Sequence, residues 1–291
     1  MIAPAYTLAS QPVVDAPVTH GSARSPRVRR RAASVTVLTP LLDCPQYFPD
    51  MQRSVMSQSG AFDLQWIVID GGSRDETLSQ LRSIKDSRLQ WVSEPDSGQA
   101  AAINKGLSMA RGDIIAWLNG DDLYTPGALA AAVDAFNANP EAQWLVGRCN
   151  IVDEGGQQIR RSISRYKDRL MRNYSFKALL RMNMINQPAV FWRRSFGQSI
   201  GPLDDSLYYT MDYDLWLRMA KRRKPLILDH VLASFRVHGG SKSHGGCRAQ
   251  FLEGYRVACR HVAGDTISRW VHRLNVEKVV WGYRALRVVG Q

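Results

Sequence analysis

Four times in the first half of the chain a short apolar run stops on a polar residue, and a segment of helical character follows. The runs cover residues 34–39, 64–70, 89–92 and 114–118. The run at 114–118 is a short apolar stretch that reads as a buried strand, and the others read as strands as well. Strands that alternate with helices through short links predict a parallel sheet covered on both faces. The intervening helices are expected over 46–58, from Asp75-Glu76 onward, over 99–110 and over 126–138. Pro40 is read as the end of the first strand, and Pro126 as the first position of its helix.

The strand ends carry Thr39, Asp70, Glu94 with Asp96, and Asp121. Open α/β sheets bind ligands at the carboxyl ends of their strands, so these four ends predict one polar cleft. Asn119-Gly120-Asp121-Asp122 is the most demanding of them. Two adjacent carboxylates repel unless a cation offsets them, and an oxygen-rich site suits Mg²⁺ or Mn²⁺.

Beyond residue 148 the alternation weakens. Strand, turn and strand are expected over 149–163, with the turn at Gly155-Gly156. A helix is expected over 174–183, a strand over 188–192 and an amphipathic helix over 211–220. Two strands follow over 226–228 and 231–237, then a glycine-rich loop over 238–246. Helices are expected over 248–263 and 267–289. The last mixes Trp270, Leu274, Trp281 and Leu286 with Arg269, Arg273, Lys278, Arg284 and Arg287, a composition that suits either packing or a membrane surface.

Charge adds a constraint. The formal net charge is +12, which points to an anionic partner. Part of it lies in residues 1–33, a non-periodic Ala/Pro/Ser/Val stretch with five arginines against Asp15, read as a disordered basic tail. Cys44, Cys149, Cys247 and Cys259 are widely spaced and form neither a zinc pattern nor a disulfide framework, so a reducing compartment is expected. No apolar stretch reaches the length of a membrane span, and no charged-then-apolar leader opens the chain. A cytoplasmic protein is expected, with peripheral contact at the inner face of the membrane through the basic tail or the last helix.

Several blocks taken together resemble a known family. They are Val37-Leu38-Thr39-Pro40, Ile67-Val68-Ile69-Asp70-Gly71-Gly72-Ser73-Arg74-Asp75-Glu76-Thr77, Ser93-Glu94-Pro95-Asp96-Ser97-Gly98-Gln99 and Ala102-Ile103-Asn104-Lys105-Gly106. Asn119-Gly120-Asp121-Asp122, Met211-Asp212-Tyr213-Asp214-Leu215-Trp216 and Arg236-Val237-His238-Gly239-Gly240-Ser241 complete the set. In this order and spacing they resemble the family-2 inverting glycosyltransferases of GT-A fold, over roughly residues 34–245.

The resemblance implies an α/β fold with a Rossmann-like, mostly parallel sheet, a small acceptor-side subregion and C-terminal helices. It divides the chain into the tail (1–33), a nucleotide-sugar half (34–148), an acceptor half (149–245) and a helical extension (246–291). It implies a nucleoside-diphosphate sugar, UDP-linked by expectation, as donor. A saccharide or lipid-linked hydroxyl is the implied acceptor, in cell-surface polysaccharide synthesis. Thr39, Pro40, Asp70, Asp96, Asn104, Lys105, Asn119, Arg236 and Ser241 match nucleotide-sugar positions. Asp121, Asp122 and His238 match positions for a divalent cation, Mn²⁺ or Mg²⁺. Asn119 departs from the family's Asp-x-Asp motif and brings no charge. Asp212 matches the catalytic base, with Asp214 as the alternative. Residues two apart on a helix point in different directions, so one of the pair should face the cleft.

Two other classes fit less of the chain. A basic nucleic-acid-binding protein would explain the charge, but no such motif appears and no nucleic acid is expected as partner. A degenerate nucleotide-sugar-binding module would explain Asn119.

Overall fold

A computed structural model describes residues 33–242, 247–262 and 264–288. The expected disordered tail lies outside the described residues apart from Ala33, as do residues 243–246 of the glycine-rich loop.

The amino-terminal half follows the expected alternation. Strands β1 (Ala33–Leu41), β2 (Phe62–Asp70), β3 (Leu89–Ser93) and β4 (Ile114–Trp117) run parallel in the order β3-β2-β1-β4. Helices α1 (Phe48–Met56), α2 (Thr77–Ser83), α3 (Gln99–Met109) and α4 (Ala128–Ala138) connect them or follow them. The apolar runs are continuous because both faces are covered. Ile67, Ile69, Ile115 and Trp117 pack with α3 on one face, while Trp66, Val68, Ile114 and Ala116 pack with α1 and α4 on the other.

Pro40 does not end β1; the strand continues to Leu41. Leu38 O accepts from Leu118 N, so residues of even number in this strand direct their backbone groups toward β4. The pairing with β4 stops at Leu38. Pro40 therefore lacks its N–H on a side where no partner strand remains, and the strand tolerates it. Pro126 also falls outside its helix, because Gly127 at φ +76° turns the chain before α4 begins.

The second half is less parallel than the first. Strand β5 (Leu123–Tyr124), β6 (Trp144–Val152), β7 (Gln158–Ile159) and β8 (Val190–Arg193) come in chain order, then β9 (Leu226–Arg236). Antiparallel pairs β4–β8, β8–β6, β6–β7 and β9–β5 extend the sheet, and β6–β9 is parallel. The two strands expected over 226–237 are one strand, with register shifts opposite Gly147–Cys149.

The strand expected after the Gly155-Gly156 turn is only β7, Gln158–Ile159, and residues 161–163 instead begin helix α5 (Arg161–Arg172). Its arginines and serines carry no strand pattern, and its polar face is exposed. Helices α6 (Phe176–Arg181), α7 (Arg194–Ile200), α8 (Met211–Arg222), α9 (Cys247–His261) and α10 (Thr266–Val288) complete the chain. Val257 and Ala258 of α9 join the same buried cluster as Leu215 and Trp216 of α8. His272 of α10 sits against Leu180 O at 2.6 Å. The carboxyl-terminal helices are thus anchored on α6 and α8.

Candidate active site

Parallel β1, β2 and β4 bring Leu41, Asp70 and the Asn119–Asp122 turn to one edge of the sheet. Asp70 is fully buried there. Its Oδ2 accepts from Gly72 N (3.2 Å), Ser73 N (3.1 Å) and Ser93 Oγ (2.6 Å), and Oδ1 accepts from Ser73 Oγ. Three donors share Oδ2 and one meets Oδ1, so most of the acceptor capacity of this carboxylate is taken. Asp70 therefore clasps the Gly71–Ser73 loop to β3. Asp96 is the more accessible acid beside that loop: a Cβ on Gly71 would lie 3.0 Å from its Oδ2. Thr39 Oγ1 accepts from Trp66 Nε1 at 3.1 Å, and both residues are buried. Pro40 is buried as well.

The turn after β4 is held from several directions. Asn119 Oδ1 accepts from Trp117 Nε1 and Gln99 Nε2, both at 2.8 Å. Its Nδ2 donates to Asp122 Oδ2 (3.1 Å) and Gln187 Oε1 (3.0 Å). A carboxylate in this place would accept from the tryptophan and the glutamine but could not donate to Asp122, so an amide fits where the family motif has an acid. Gly120 packs tightly: a Cβ there would lie 2.5 Å from Leu41 Cδ1.

The two acids of the turn part company. Asp122 is fully buried, and its Oδ1 accepts from Arg236 N at 2.9 Å. Desolvation, and then the charge of Asp121, push its carboxyl well above the ordinary carboxylate range. Asp121 is partly exposed, and its Oδ2 lies 2.9 Å from His238 Nε2. Of the three residues expected to ligate a cation, Asp121 and His238 are side by side, while Asp122 faces inward and braces the strand that carries Arg236.

Arg236 is 1% exposed. Its guanidinium donates to Asp121 O (3.0 Å), Asp50 Oδ2 (3.2 Å) and Glu154 O, and its carbon lies 4.9 Å from the centre of the Tyr47 ring. The arginine expected at the diphosphate is thus a buried brace of the turn. The Tyr47 ring also packs 4.4 Å from that of His238. Ser241 Oγ accepts from His238 N at 3.1 Å, which leaves its own proton free to donate outward.

Two further sequence candidates on α3 serve local contacts. Asn104 exchanges hydrogen bonds with the backbone of Leu203, at 3.0 and 2.9 Å, and so ties α3 to the segment before α8. Lys105 pairs with Glu94.

On the acceptor side, α8 separates its two acids as the helical spacing requires. Asp214 is buried, between Arg218 Nε at 2.8 Å and His261 Nε2 at 3.1 Å. Burial raises its pKa, but His261 and Arg218 outweigh that and hold it below the ordinary range. Asp212 has no such partner. Its Oδ1 accepts from Tyr213 N at 2.7 Å, and desolvation raises its pKa from 3.8 to about 6, against the opposing attraction of Lys167. Lys167 of α5 is itself desolvated and donates to Asn186 Oδ1 at 2.7 Å.

Five functional candidates were not visible as such in the sequence: Gln99, Gln187, Lys167, Lys242 and Glu253. Lys242 Nζ donates to Gln99 Oε1 at 3.1 Å and lies 4.4 Å from the centre of the Tyr208 ring. Glu253 Oε1 accepts from Tyr209 N, Thr210 N and Thr210 Oγ1, each at 2.8 Å, and Oε2 from Tyr208 N at 3.3 Å. An acid from α9 thereby caps the loop that opens α8, two residues before Asp212. Contacts therefore run without a break from Asp122 through Asn119, Gln99, Lys242, Tyr208 and Glu253 to Thr210.

Among the described residues no group of three His, Cys, Asp or Glu side chains could hold a metal ion by itself. Asp121 and His238 offer two ligands. That number fits Mg²⁺ or Mn²⁺, which complete their shells with waters and substrate phosphates. No helix among the described residues is long and apolar enough to cross a membrane.

A sequence profile of glycosyl transferase family 2 matches residues 36–198. Over 218 residues the chain is 27% identical to an uncharacterized glycosyltransferase of Rickettsia prowazekii, a match covering 72% of this chain and 66% of that protein. The chain thus spans about two thirds of that relative. The fold is similar to TarS of S. aureus (residues 1–349) in complex with UDP, with a TM-score of 0.58 and 15% identity, over 78% of this chain and 65% of that one. It is also similar to the mannosyltransferase PcManGT of Pyrobaculum calidifontis in complex with GDP-Man and Mn²⁺. There the TM-score is 0.61 and the identity 17%, over 83% of this chain and 68% of that one. At those identities the structural likeness speaks for the fold, which is GT-A, and the matched profile speaks for descent: the chain is a glycosyltransferase and belongs to glycosyl transferase family 2.

Proposed function

We propose that this chain moves a sugar from a nucleoside-diphosphate donor to a saccharide or lipid-linked hydroxyl, with inversion, in cell-surface polysaccharide synthesis. The observation that carries the reading is the unbroken set of contacts joining the Asn119–Asp122 turn to the start of α8. It sets a partly exposed acid with a histidine on one side and a desolvated acid without an ion-pair partner on the other.

The nucleoside would lie along the ends of β1 to β3, beside Thr39, Pro40 and Asp96, on the loop that Asp70 clasps. Asp121 and His238 would hold the divalent cation, which supplies positive charge to the departing diphosphate when bound. Ser241 Oγ and the Lys242 ammonium add donors at the same place, while Arg236 fixes the turn from inside. Asp212 accepts the proton of the acceptor hydroxyl as its oxygen attacks the anomeric carbon. The C–O bond to the diphosphate breaks, and its electron pair leaves with the phosphate oxygen. A pKa of about 6 leaves Asp212 ionised at neutral pH yet more basic than an ordinary carboxylate.

A thermal-shift panel of UDP-, GDP- and dTDP-sugars, with and without Mn²⁺, tests the donor half. At least one nucleotide sugar should raise Tm, more so with Mn²⁺, and Asp121→Ala should remove the metal-dependent part. A panel in which no nucleotide sugar shifts Tm would sink the proposal. The relatives compared bind UDP in one case and GDP-Man in the other, so the panel also identifies the base.

A further inference from the structure

Helix α10 has one buried face and one exposed apolar face. One is anchored: Ser268, His272 and Val276 are buried, His272 Nδ1 meets Leu180 O, and Asn275 Nδ2 donates to Arg181 O at 3.1 Å. Desolvation lowers the pKa of His272, which suits a neutral ring inside this contact. The other face carries Ile267, Trp270, Leu274 and Trp281, each between 55% and 70% exposed. At about 100° per residue these four positions fall within an arc of about 60°, opposite the anchored face. The stripe runs about 21 Å along the helix.

Half of the eight large hydrophobic side chains exposed among the described residues sit on this one stripe. Scattered exposed hydrophobics need no explanation, but an ordered stripe does. The charges beside it have one dominant sign. Residues 266–278 contain Arg269, Arg273 and Lys278 against the single acid Glu277, which pairs with Arg273 at 3.3 Å.

We infer that this face of α10 docks on an anionic lipid surface. Tryptophan suits the boundary between headgroups and acyl chains, and arginine and lysine beside it suit acidic headgroups. A second copy of the chain is a poorer occupant, because facing stripes would bring Arg269, Arg273 and Lys278 of both copies together. The amino-terminal segment is poorer for the same reason, since its five arginines repeat the sign. Because α10 is fixed on α6, and α9 braces the loop before Asp212, docking would hold the acceptor side of the molecule near the membrane. On the transferase reading proposed above, and resting on it, the acceptor is then lipid-linked.

Sedimentation of the full chain with vesicles tests the docking. One set contains phosphatidylcholine with phosphatidylglycerol, the other phosphatidylcholine alone; no nucleotide is added. The chain should sediment with the anionic set, less so at high salt, and the Trp270→Glu/Trp281→Glu double variant should bind at least about tenfold more weakly. Arg269→Glu/Arg273→Glu, which leaves the apolar stripe intact, should weaken binding to the anionic set and leave the neutral set unchanged. Circular dichroism and the nucleotide thermal shift confirm that each variant is folded. Failure of the wild-type chain to bind anionic vesicles would overturn the inference, as would equal binding by the tryptophan variant. A dimer in ultracentrifugation that the tryptophan variant abolishes, without vesicle binding, would assign the face to a second copy. The thermal-shift panel needs no vesicle, so the donor reading and the docking fail separately.

Discussion

Asp212→Asn should make the protein more stable at neutral pH while abolishing transfer. Desolvation raises the Asp212 pKa from 3.8 to about 6, and that figure already nets burial against the hydrogen bond from Tyr213 N and the attraction of Lys167. Below pH 3.8 both folded and unfolded chains carry the proton, and the residue contributes nothing. Between that value and about 6 the unfolded chain ionises first, so stability falls as pH rises. Above about 6 the folded chain holds a carboxylate that would be better solvated unfolded, and the whole penalty of about 3 kcal/mol is in force. Asparagine cannot ionise, and its Oδ1 can still accept from Tyr213 N. The variant should therefore gain about 1.5 kcal/mol near pH 5 and about 3 kcal/mol near pH 8. For a domain of this size each kcal/mol moves Tm by roughly 2–4 °C. Thermal or urea unfolding of both proteins at the two pH values reads the difference directly. The wild-type transfer rate should fall about tenfold per pH unit below pH 6, because the base must be ionised. A variant that gains no stability on going from pH 5 to pH 8 would refute the argument that Asp212 is held desolvated. Transfer retained in Asp212→Asn would move the base elsewhere. Asp214 is a poor substitute because Arg218 and His261 already occupy it.

Two further outcomes follow from the braces around the site. Glu253→Ala removes the acceptor of four hydrogen bonds before α8 and should cost roughly 1–3 kcal/mol. It should lower kcat while the KM for the donor stays near wild type, with partial recovery in Glu253→Gln; an unchanged kcat would refute a positioning role. Arg236→Ala strips a buried guanidinium from Asp50, Asp121 O and Glu154 O, and urea unfolding should show a loss of about 3–5 kcal/mol. A loss below 1 kcal/mol would mean that the turn is held by Asn119 and Gly120 alone.

The parallel half of the fold is legible because its determinants are local. Runs such as Ile114–Trp117 are apolar at every position, which only a strand covered on both faces requires, and Asn119-Gly120 marks where it turns. The family blocks are equally local, and the profile match spans the stretch that carries most of them. Helix α5 is not legible in the sequence, where only its first three residues fall in an expected strand, because its buried side is small, with Ser164 and Met171 its buried positions. Nothing in the run of residues 226–237 announces that the irregularity at Gly147–Cys149 lets one strand span it.

The sequence by itself determined which chemical groups reach the sheet edge, because strand direction and turn position follow from neighbouring residues. It also determined that only one of Asp212 and Asp214 could face the cleft, since helical geometry separates them. Tertiary structure alone decided which acids are free to act. Asp122 turns inward because Arg236, 114 residues later, meets it with a backbone N–H; Asp70 is engaged by Ser73 and Ser93. Asp214 is taken by a histidine of α9, and an acid of α9 holds the loop before Asp212. The availability of a carboxylate depends on whether its lone pairs and its hydration have been replaced, and those replacements come from residues that only folding brings near.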